Sequence, residues 1–318
     1  MIEKTDLLII GLGPAGLTAG LYAARYKLNF LLVGKEIGGT MSLASNICNY
    51  PGFSQIAGLE LAQKIENQIK ELGGKIIYDE IIKLKKEKEG FLAISSSQKQ
   101  YFAKSLILAT GTRRRKLQVP GEEELIGKGV SYCATCDAFF FKEKKVAVVG
   151  GGNSAVTAAL HLSQIAQKVY LIYRGQTLKA EPILIEQIKT NNKIEVIYQT
   201  NIVEIFKKPD QKIVGGVKLD KPYRGVDYIL VDGVFIEIGG IPSSVLAQEI
   251  GILLDEKGFI KVDNEMKTNI AGVFAAGDVT SYSTDFAQIV WACGQGAKAA
   301  ASAYYFLQKT KAPKIIGL

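Results

Sequence analysis

Positions 5–10 are largely apolar without a polar alternation, the pattern of a strand buried on both faces. Gly11-Leu12-Gly13-Pro14-Ala15-Gly16 follows, then apolar residues at helical spacing as far as Tyr26, then a second apolar run at 29–33. Strand, glycine-rich turn, helix and strand in that order predict the first half of a Rossmann unit. The pattern recurs: a strand at 145–149, the turn Gly150-Gly151-Gly152-Asn153-Ser154-Ala155, a helix to about Ala166 and a strand at 169–173. Between and after these units, stretches 75–108 and 194–237 read as strands. The first contains a charged hairpin at 83–90, and the second carries turn signals at Pro209-Asp210 and at Gly215-Gly216. Residues 272–278 predict a buried strand ending in Gly277 and Asp278, and 287–306 an apolar helix.

These elements predict an α/β fold of two Rossmann-like dinucleotide-binding domains, the second inserted into the first. The joints Val119-Pro120-Gly121 and Gly239-Gly240-Ile241-Pro242 bracket the insertion and read as the two strands of a hinge. The expected division is 1–116, 117–242 and 243–318, the outer pieces forming one domain. No short-period repeat is present; the only repetition is the pair of nucleotide-type units.

Composition narrows the function classes. A chain of 318 residues, 47% hydrophobic and 22% charged, is long enough for two domains with separate cores. No apolar run reaches the roughly eighteen residues of a membrane span, and Met1-Ile2-Glu3-Lys4-Thr5-Asp6 leads directly into the first strand without a leader pattern. The expectation is no membrane and a cytoplasmic location. The net charge of +8 raises the question of nucleic acid. Lysines are spread along the chain, however, and Arg113-Arg114-Arg115-Lys116 is the only dense basic run, with no interleaved aromatics or recognition helix, so no nucleic acid is expected. That run is either a solvated linker or an attractor for an acidic partner or for phosphates.

Cys133-Ala134-Thr135-Cys136-Asp137 lies just upstream of the second glycine turn. Two thiols separated by two residues close a disulfide within one turn, which makes oxidation inexpensive in entropy and reduction reversible. Half a zinc site is the competing reading, but zinc needs four ligands and only Cys48, Cys293 and His161 remain, each isolated; redox use is preferred and no metal is expected. In the first nucleotide unit, Glu36 stands twenty positions beyond Gly16, either to bind a ribose hydroxyl or as a solvated loop residue. In the second, the residue nineteen beyond Ala155 is Arg174, which favours a cofactor with a 2′-phosphate over one with a free 2′-hydroxyl. Asp278 suits a polyol hydroxyl, or a helix cap. His161 reads as structural.

With these elements in order, the chain resembles the low-molecular-weight thioredoxin reductases. The shared motifs are Gly11-Leu12-Gly13-Pro14-Ala15-Gly16, Asn49-Tyr50-Pro51-Gly52, Ala109-Thr110-Gly111, Cys133-Ala134-Thr135-Cys136-Asp137, the 150–155 turn, and Gly277-Asp278 followed by Gln288. The resemblance implies that the first unit holds FAD, with Gly39, Thr40, Asn49, Ala109, Thr110, Gly111, Asp278 and Gln288 near the flavin, and that the second holds NADPH. It implies hydride transfer from NADPH to flavin, reduction of the CxxC disulfide, and delivery of electrons to thioredoxin or a similar small redox protein. Cys136 then faces the flavin, Cys133 attacks the partner disulfide and Asp137 serves the thiols as acid or base. Domain rotation and a homodimer are also implied. Phe139-Phe140 matches aromatics that dock the partner, although a buried pair in a core fits the sequence equally.

The chain departs from the family where His-Arg-Arg, three residues and another Arg are usual. Here Tyr173-Arg174-Gly175-Gln176-Thr177-Leu178-Lys179 retains one arginine, replaces the next with glycine and ends in lysine. A guanidinium grips phosphate in two bonds where an ammonium acts as a point charge, so the expectation is weakened use of NADPH, with NADH or another donor such as ferredoxin as alternatives. Thr40 stands where Gln is common, and Trp291 lies near the flavin segment. The competing functions are a dithiol oxidase or a reductase of another disulfide on the same fold, and a non-catalytic redox sensor.

Overall fold

A computed structural model describes residues 2–44, 47–283 and 286–309. The chain opens with β1 (Ile2–Ile10), α1 (Pro14–Arg25), β2 (Phe30–Gly34), α2 (Gly58–Glu71), β3 (Lys75–Tyr78), β4 (Ile81–Glu87), β5 (Gly90–Ser95), β6 (Gln100–Leu108) and β7 (Thr112–Arg114). Next come β8 (Val130–Ser131), α3 (Ala134–Asp137), β9 (Lys145–Val149), α4 (Asn153–Ser163), β10 (Lys168–Tyr173), α5 (Pro182–Thr190) and β11 (Ile194–Tyr198). The strands β12 (Ile202–Lys207), β13 (Val214–Tyr223), β14 (Val226–Leu230) and β15 (Gly233–Ile236) follow. The chain returns through β16 (Gly240–Pro242), α6 (Val245–Glu249), β17 (Val273–Ala275) and α7 (Ile289–Gln308). It divides into two compact units, Met1–Arg113 with Pro242–Leu318 and, inserted between those pieces, Arg114–Ile241.

In the outer unit the sheet order is β3-β2-β1-β6-β5-β4, with β17 also paired to β6. β1 is apolar and buried from Leu7 to Ile10 because both faces of that half are covered. Leu7 and Ile9 join the core shared with Leu17, Ile69 and Ala299, while Leu8 and Ile10 join Phe91, Tyr101 and Leu246 on the opposite face. Each such side chain contributes about 1.5–3 kcal/mol of transfer free energy. The register places Ile10 opposite both Val33 and Leu108, and Leu108 opposite Ala275. Whatever follows these four parallel strands therefore emerges at one edge of the sheet, the edge where α/β proteins bind ligands.

The inserted unit repeats the arrangement with a parallel sheet of order β11-β10-β9-β15-β8. Val149 faces Ile172 and Ile236, and Phe235 faces Ser131, so the segments after β8, β9, β10 and β15 again share an edge. The separate antiparallel sheet β12-β13-β14 corrects one expectation: Gly215-Gly216 lies inside β13 rather than at a turn. Close packing requires glycine there, since a Cβ on Gly216 would lie 2.4 Å from the Phe206 ring and 2.6 Å from Ile229 O. The turn is at Pro209-Asp210, where Asp210 has φ 58° and Lys208 N donates to Ile213 O at 3.0 Å. Val119-Pro120-Gly121 likewise lies within the inserted unit, because Ile205 N donates to Pro120 O at 2.9 Å and a Cβ on Gly121 would overlap Ile205 O. The two crossing segments, β7 and β16, pair with each other. No described helix is long and apolar enough to cross a membrane.

Candidate active site

The first glycine turn connects β1 to α1 at the shared edge. Gly11 has φ 117°, and a Cβ there would lie 2.1 Å from Ala109 O; a Cβ on Gly16 would lie 1.8 Å from Gly11 O. Those two glycines let the turn, the segment after β6 and helix α1 close on one another. Nothing lies within 4 Å of a Cβ on Gly13, which caps α1 ahead of Pro14, so the helix start is open on that side. Its first N–H groups have no side-chain cap, the arrangement that receives a pyrophosphate. Gly38 N donates to Leu12 O at 2.8 Å, and a Cβ on Gly39 would sit 3.4 Å from Gly13 Cα, which brings Gly39 and exposed Thr40 beside the turn. Glu36 is exposed just beyond the end of β2.

Further segments converge here. Ala109 N donates to Ile10 O at 2.8 Å, and Thr110 Oγ1 donates to Ser243 O at 2.7 Å while Gly111 O accepts from Ser243 N at 2.9 Å. Asn49 Nδ2 donates to Gln288 Oε1 at 3.0 Å, joining two residues 239 positions apart, with Gln288 at the N-cap of α7. Gly277, with φ 80°, packs onto α1, where a Cβ would meet Ala15 Cβ at 2.8 Å. Asp278 follows; burial pushes its carboxyl up, and it has no hydrogen-bond or ion-pair partner among the described residues.

Sequence reasoning missed what holds this turn. Gln295, 2% exposed, accepts from Gly277 N at 2.7 Å and from Thr280 Oγ1 at 3.2 Å, while its Nε2 donates to Ser283 Oγ at 3.3 Å. One residue later, a Cβ on Gly296 would lie 2.1 Å from Ala15 O, so α7 crosses α1 in backbone contact. Apolar periodicity marks neither residue as part of a site. Beside Asn49, a cleft of about 490 Å³ is lined by residues 48–54. Tyr50 there lies 3.9 Å from the Cys293 thiol, and burial, with that thiol beside it, pushes its pKa up to about 12. Trp291 donates to Tyr282 O at 3.2 Å and is partly exposed.

At the edge of the inserted unit, Gly150 has φ 140° and a Cβ would lie 2.2 Å from Glu237 O. The loop after β10 is fastened across the turn at three points. Lys179 N donates to Gly151 O at 2.6 Å, Gly152 bridges Lys179, and Asn153 and Glu181 exchange two hydrogen bonds of 3.0 and 2.8 Å. Ser154 and Ala155 open α4, with Ala155 fully buried. Arg174 and Lys179 are both exposed. Glu237 is paired with Arg114, so the basic run is more than a solvated linker; burial pushes the Glu237 carboxyl up against the opposing effect of that guanidinium.

Cys133 and Cys136 form a disulfide with Cα atoms 5.3 Å apart. Cys133 caps the short helix α3, its sulfur accepting from Cys136 N at 3.2 Å, and Ser131 Oγ accepts from Cys133 N at 3.0 Å. Cys136 is exposed, and Cys133 and Asp137 are partly so. Because Ser131 ends β8, the dithiol and the second glycine turn emerge at the same edge of one sheet. Upstream, Tyr132 donates to Glu122 at 2.6 Å, and Glu122, 1% exposed, also accepts from Leu117 N at 2.8 Å. Phe139 and Phe140 are 78% and 69% exposed, which decides against a buried pair; Phe141 instead packs on Phe235. His161 lies in the last turn of α4, where burial lowers its pKa. Among the described residues, no group of three or more His, Cys, Asp or Glu could hold a metal ion.

A family model described as pyridine nucleotide-disulphide oxidoreductase matches residues 5–296. A thioredoxin reductase of Listeria innocua is 41% identical over 308 residues, covering 96% of this chain and 95% of the relative. The chain belongs to the thioredoxin reductases. Among solved structures of that family, the Lactococcus lactis enzyme superposes with a TM-score of 0.91 at 38% identity, over 96% of this chain and 100% of that one. A ferredoxin-flavin thioredoxin reductase from Clostridium acetobutylicum is 32% identical with a TM-score of 0.53, over 97% and 99% of the two chains. Membership of the thioredoxin reductases implies a flavin and a pyridine nucleotide. The residues present fit both: each glycine turn leaves its helix start without a side-chain cap, and Asp278 offers a partly buried carboxylate without a partner among the described residues.

Proposed function

We propose that this chain passes electrons from NADPH through FAD to the Cys133–Cys136 disulfide and from there to thioredoxin or a similar small redox protein. The observation that carries this reading is the disulfide at the same sheet edge as the second glycine turn, with two exposed phenylalanines directly after it. FAD is assigned to Gly11, Gly13, Pro14, Ala15, Gly16, Glu36, Gly39, Thr40, Asn49, Ala109, Thr110, Gly111, Gly277, Asp278 and Gln288, and NADPH to Gly150, Gly152, Asn153, Ser154, Ala155, Arg174 and Lys179. The bound cofactors supply a two-electron relay from nicotinamide to disulfide. The rest is done by the protein: the S–S bond takes two electrons and two protons, and the Cys133 thiolate attacks the partner disulfide to give a mixed disulfide. Cys136 then displaces the reduced partner and the internal disulfide reforms. The Cys136 N–H that points at Cys133 sulfur stabilises a thiolate there. Asp137 accepts and returns the proton, as the adjacent carboxylate.

A homodimer and a cytoplasmic location complete the reading; the first rests on the resemblance, and the second on cysteines too few and scattered for a secreted disulfide framework. A different donor is the second reading, favoured by Gly175 and Lys179 in the 2′-phosphate loop. Anaerobic flavin bleaching by NADPH and by NADH, followed by reduction of added thioredoxin in the same cuvette, separates the two. Bleaching by NADPH with thioredoxin turnover is the expected result. Bleaching by neither nucleotide, with turnover driven by reduced ferredoxin, overturns the choice of donor.

A further inference from the structure

Tyr173 is the last residue of β10, the strand whose carboxyl end carries the ribose in a Rossmann unit. Its ring lies across two glycines. A Cβ on Gly151 would fall 2.5 Å from Cγ, Cδ2 and Cε2 of the ring, and one on Gly175 would fall 2.5 Å from Cε1 and 2.8 Å from the hydroxyl oxygen. Neither glycine has a positive φ, so the backbone would accept a side chain at both positions and it is the ring that excludes one. The surrounding loop is fixed. Thr200 N donates to Tyr173 O at 3.3 Å, Gln199 N to Gly175 O at 3.1 Å, and Lys179 N to Gly151 O at 2.6 Å. The ring is only partly buried, and it lies against Gly151 of the glycine turn.

We propose that Tyr173 is a specificity-determining residue of the dinucleotide site: its ring, seated on Gly151 and Gly175, holds the space that the first carbon of a side chain at position 175 would need, and so keeps a second guanidinium out of the loop. Arg174 and Lys179 are then the only cations of loop 173–181 available to a 2′-phosphate. One planar fork and one point charge discriminate weakly between a phosphate and a hydroxyl on the ribose. Restoring arginine at position 175 is blocked while the ring stays. This inference rests on the reading of 150–155 as the pyridine-nucleotide turn.

The test is titration calorimetry of 2′,5′-ADP and 5′-ADP on the oxidised, flavin-loaded full-length protein, with flavin absorbance and melting recorded for each variant. The wild type should bind the two ligands within about tenfold of each other, and Tyr173→Phe, which keeps the ring, should retain that ratio. Gly175→Arg alone should gain no preference for 2′,5′-ADP. The double variant Tyr173→Ala with Gly175→Arg should gain about tenfold or more, the scale of one charge-assisted hydrogen bond. A full gain from Gly175→Arg alone, no gain from the double variant, or a changed ratio in Tyr173→Phe would overturn the inference while leaving the nucleotide assignment standing. Absence of binding of either ligand to every variant would overturn both.

Discussion

Gln295→Met tests whether one buried amide holds the turn that presents Asp278. Methionine keeps the volume of the side chain and removes its acceptor. Gly277 N–H, 2.7 Å from Gln295 Oε1, is then left in a buried setting without a partner, at a cost of about 1–3 kcal/mol. Thr280 loses less, because its hydroxyl also donates to Gly277 O at 2.9 Å. The expected loss is therefore about 2 kcal/mol. For a unit of about 150–250 residues, each kcal/mol moves Tm by about 2–4 °C, so the outer unit should melt about 4–8 °C lower. Because Gly277 also packs against Ala15 at the start of α1, the freed turn should displace Asp278 and weaken flavin retention by about tenfold, the factor that 1.4 kcal/mol represents. Circular dichroism melting and flavin release on dilution read the two effects separately. A Tm within about 1 °C of wild type together with unchanged flavin release would refute the reasoning.

Cys133→Ser and Cys136→Ser should each abolish thioredoxin reduction while leaving donor-driven flavin bleaching intact; retained turnover in an anaerobic assay would remove the disulfide from the pathway. Phe139→Ala with Phe140→Ala should raise KM for thioredoxin about tenfold with Tm shifted by less than about 1 °C, since exposed side chains contribute little to stability; a lowered Tm with unchanged KM would assign them to packing. Asp278→Asn bears on pH dependence. Burial raises the folded-state pKa of Asp278, so its contribution to stability is complete below the unfolded carboxylate range and is lost as pH rises through the raised value. Flavin-stripped wild type should therefore lose Tm relative to Asp278→Asn as pH climbs through that window, and a difference that moves the other way would contradict the burial argument.

Legibility followed the range of the interactions. Both glycine turns, the CxxC and the order of strands and helices were readable, because a turn that needs positive φ or close backbone approach, and a strand covered on both faces, leave their marks in neighbouring residues. Gly215-Gly216 carries an ambiguous signal, because close packing against Phe206 and Ile229 and a tight turn both call for glycine, and only the partner strands distinguish them. Gln295, an amide amid small apolar residues on α7, has no local signature; its partners Gly277, Thr280 and Ser283 lie 12–18 positions away.

The sequence by itself determined two nucleotide-type units, a redox pair and their order, since each is written in a contiguous run of residues whose chemistry is local. Tertiary structure alone decided that Ile10, Val33, Leu108 and Ala275 end in register and so deliver Gly11, Ala109 and Asp278 to one edge, that Asn49 meets Gln288, and that Tyr173 closes over Gly151 and Gly175. Register and ring placement arise from packing among segments distant in the chain, where the burial of apolar surface selects one alignment out of several that the local pattern permits.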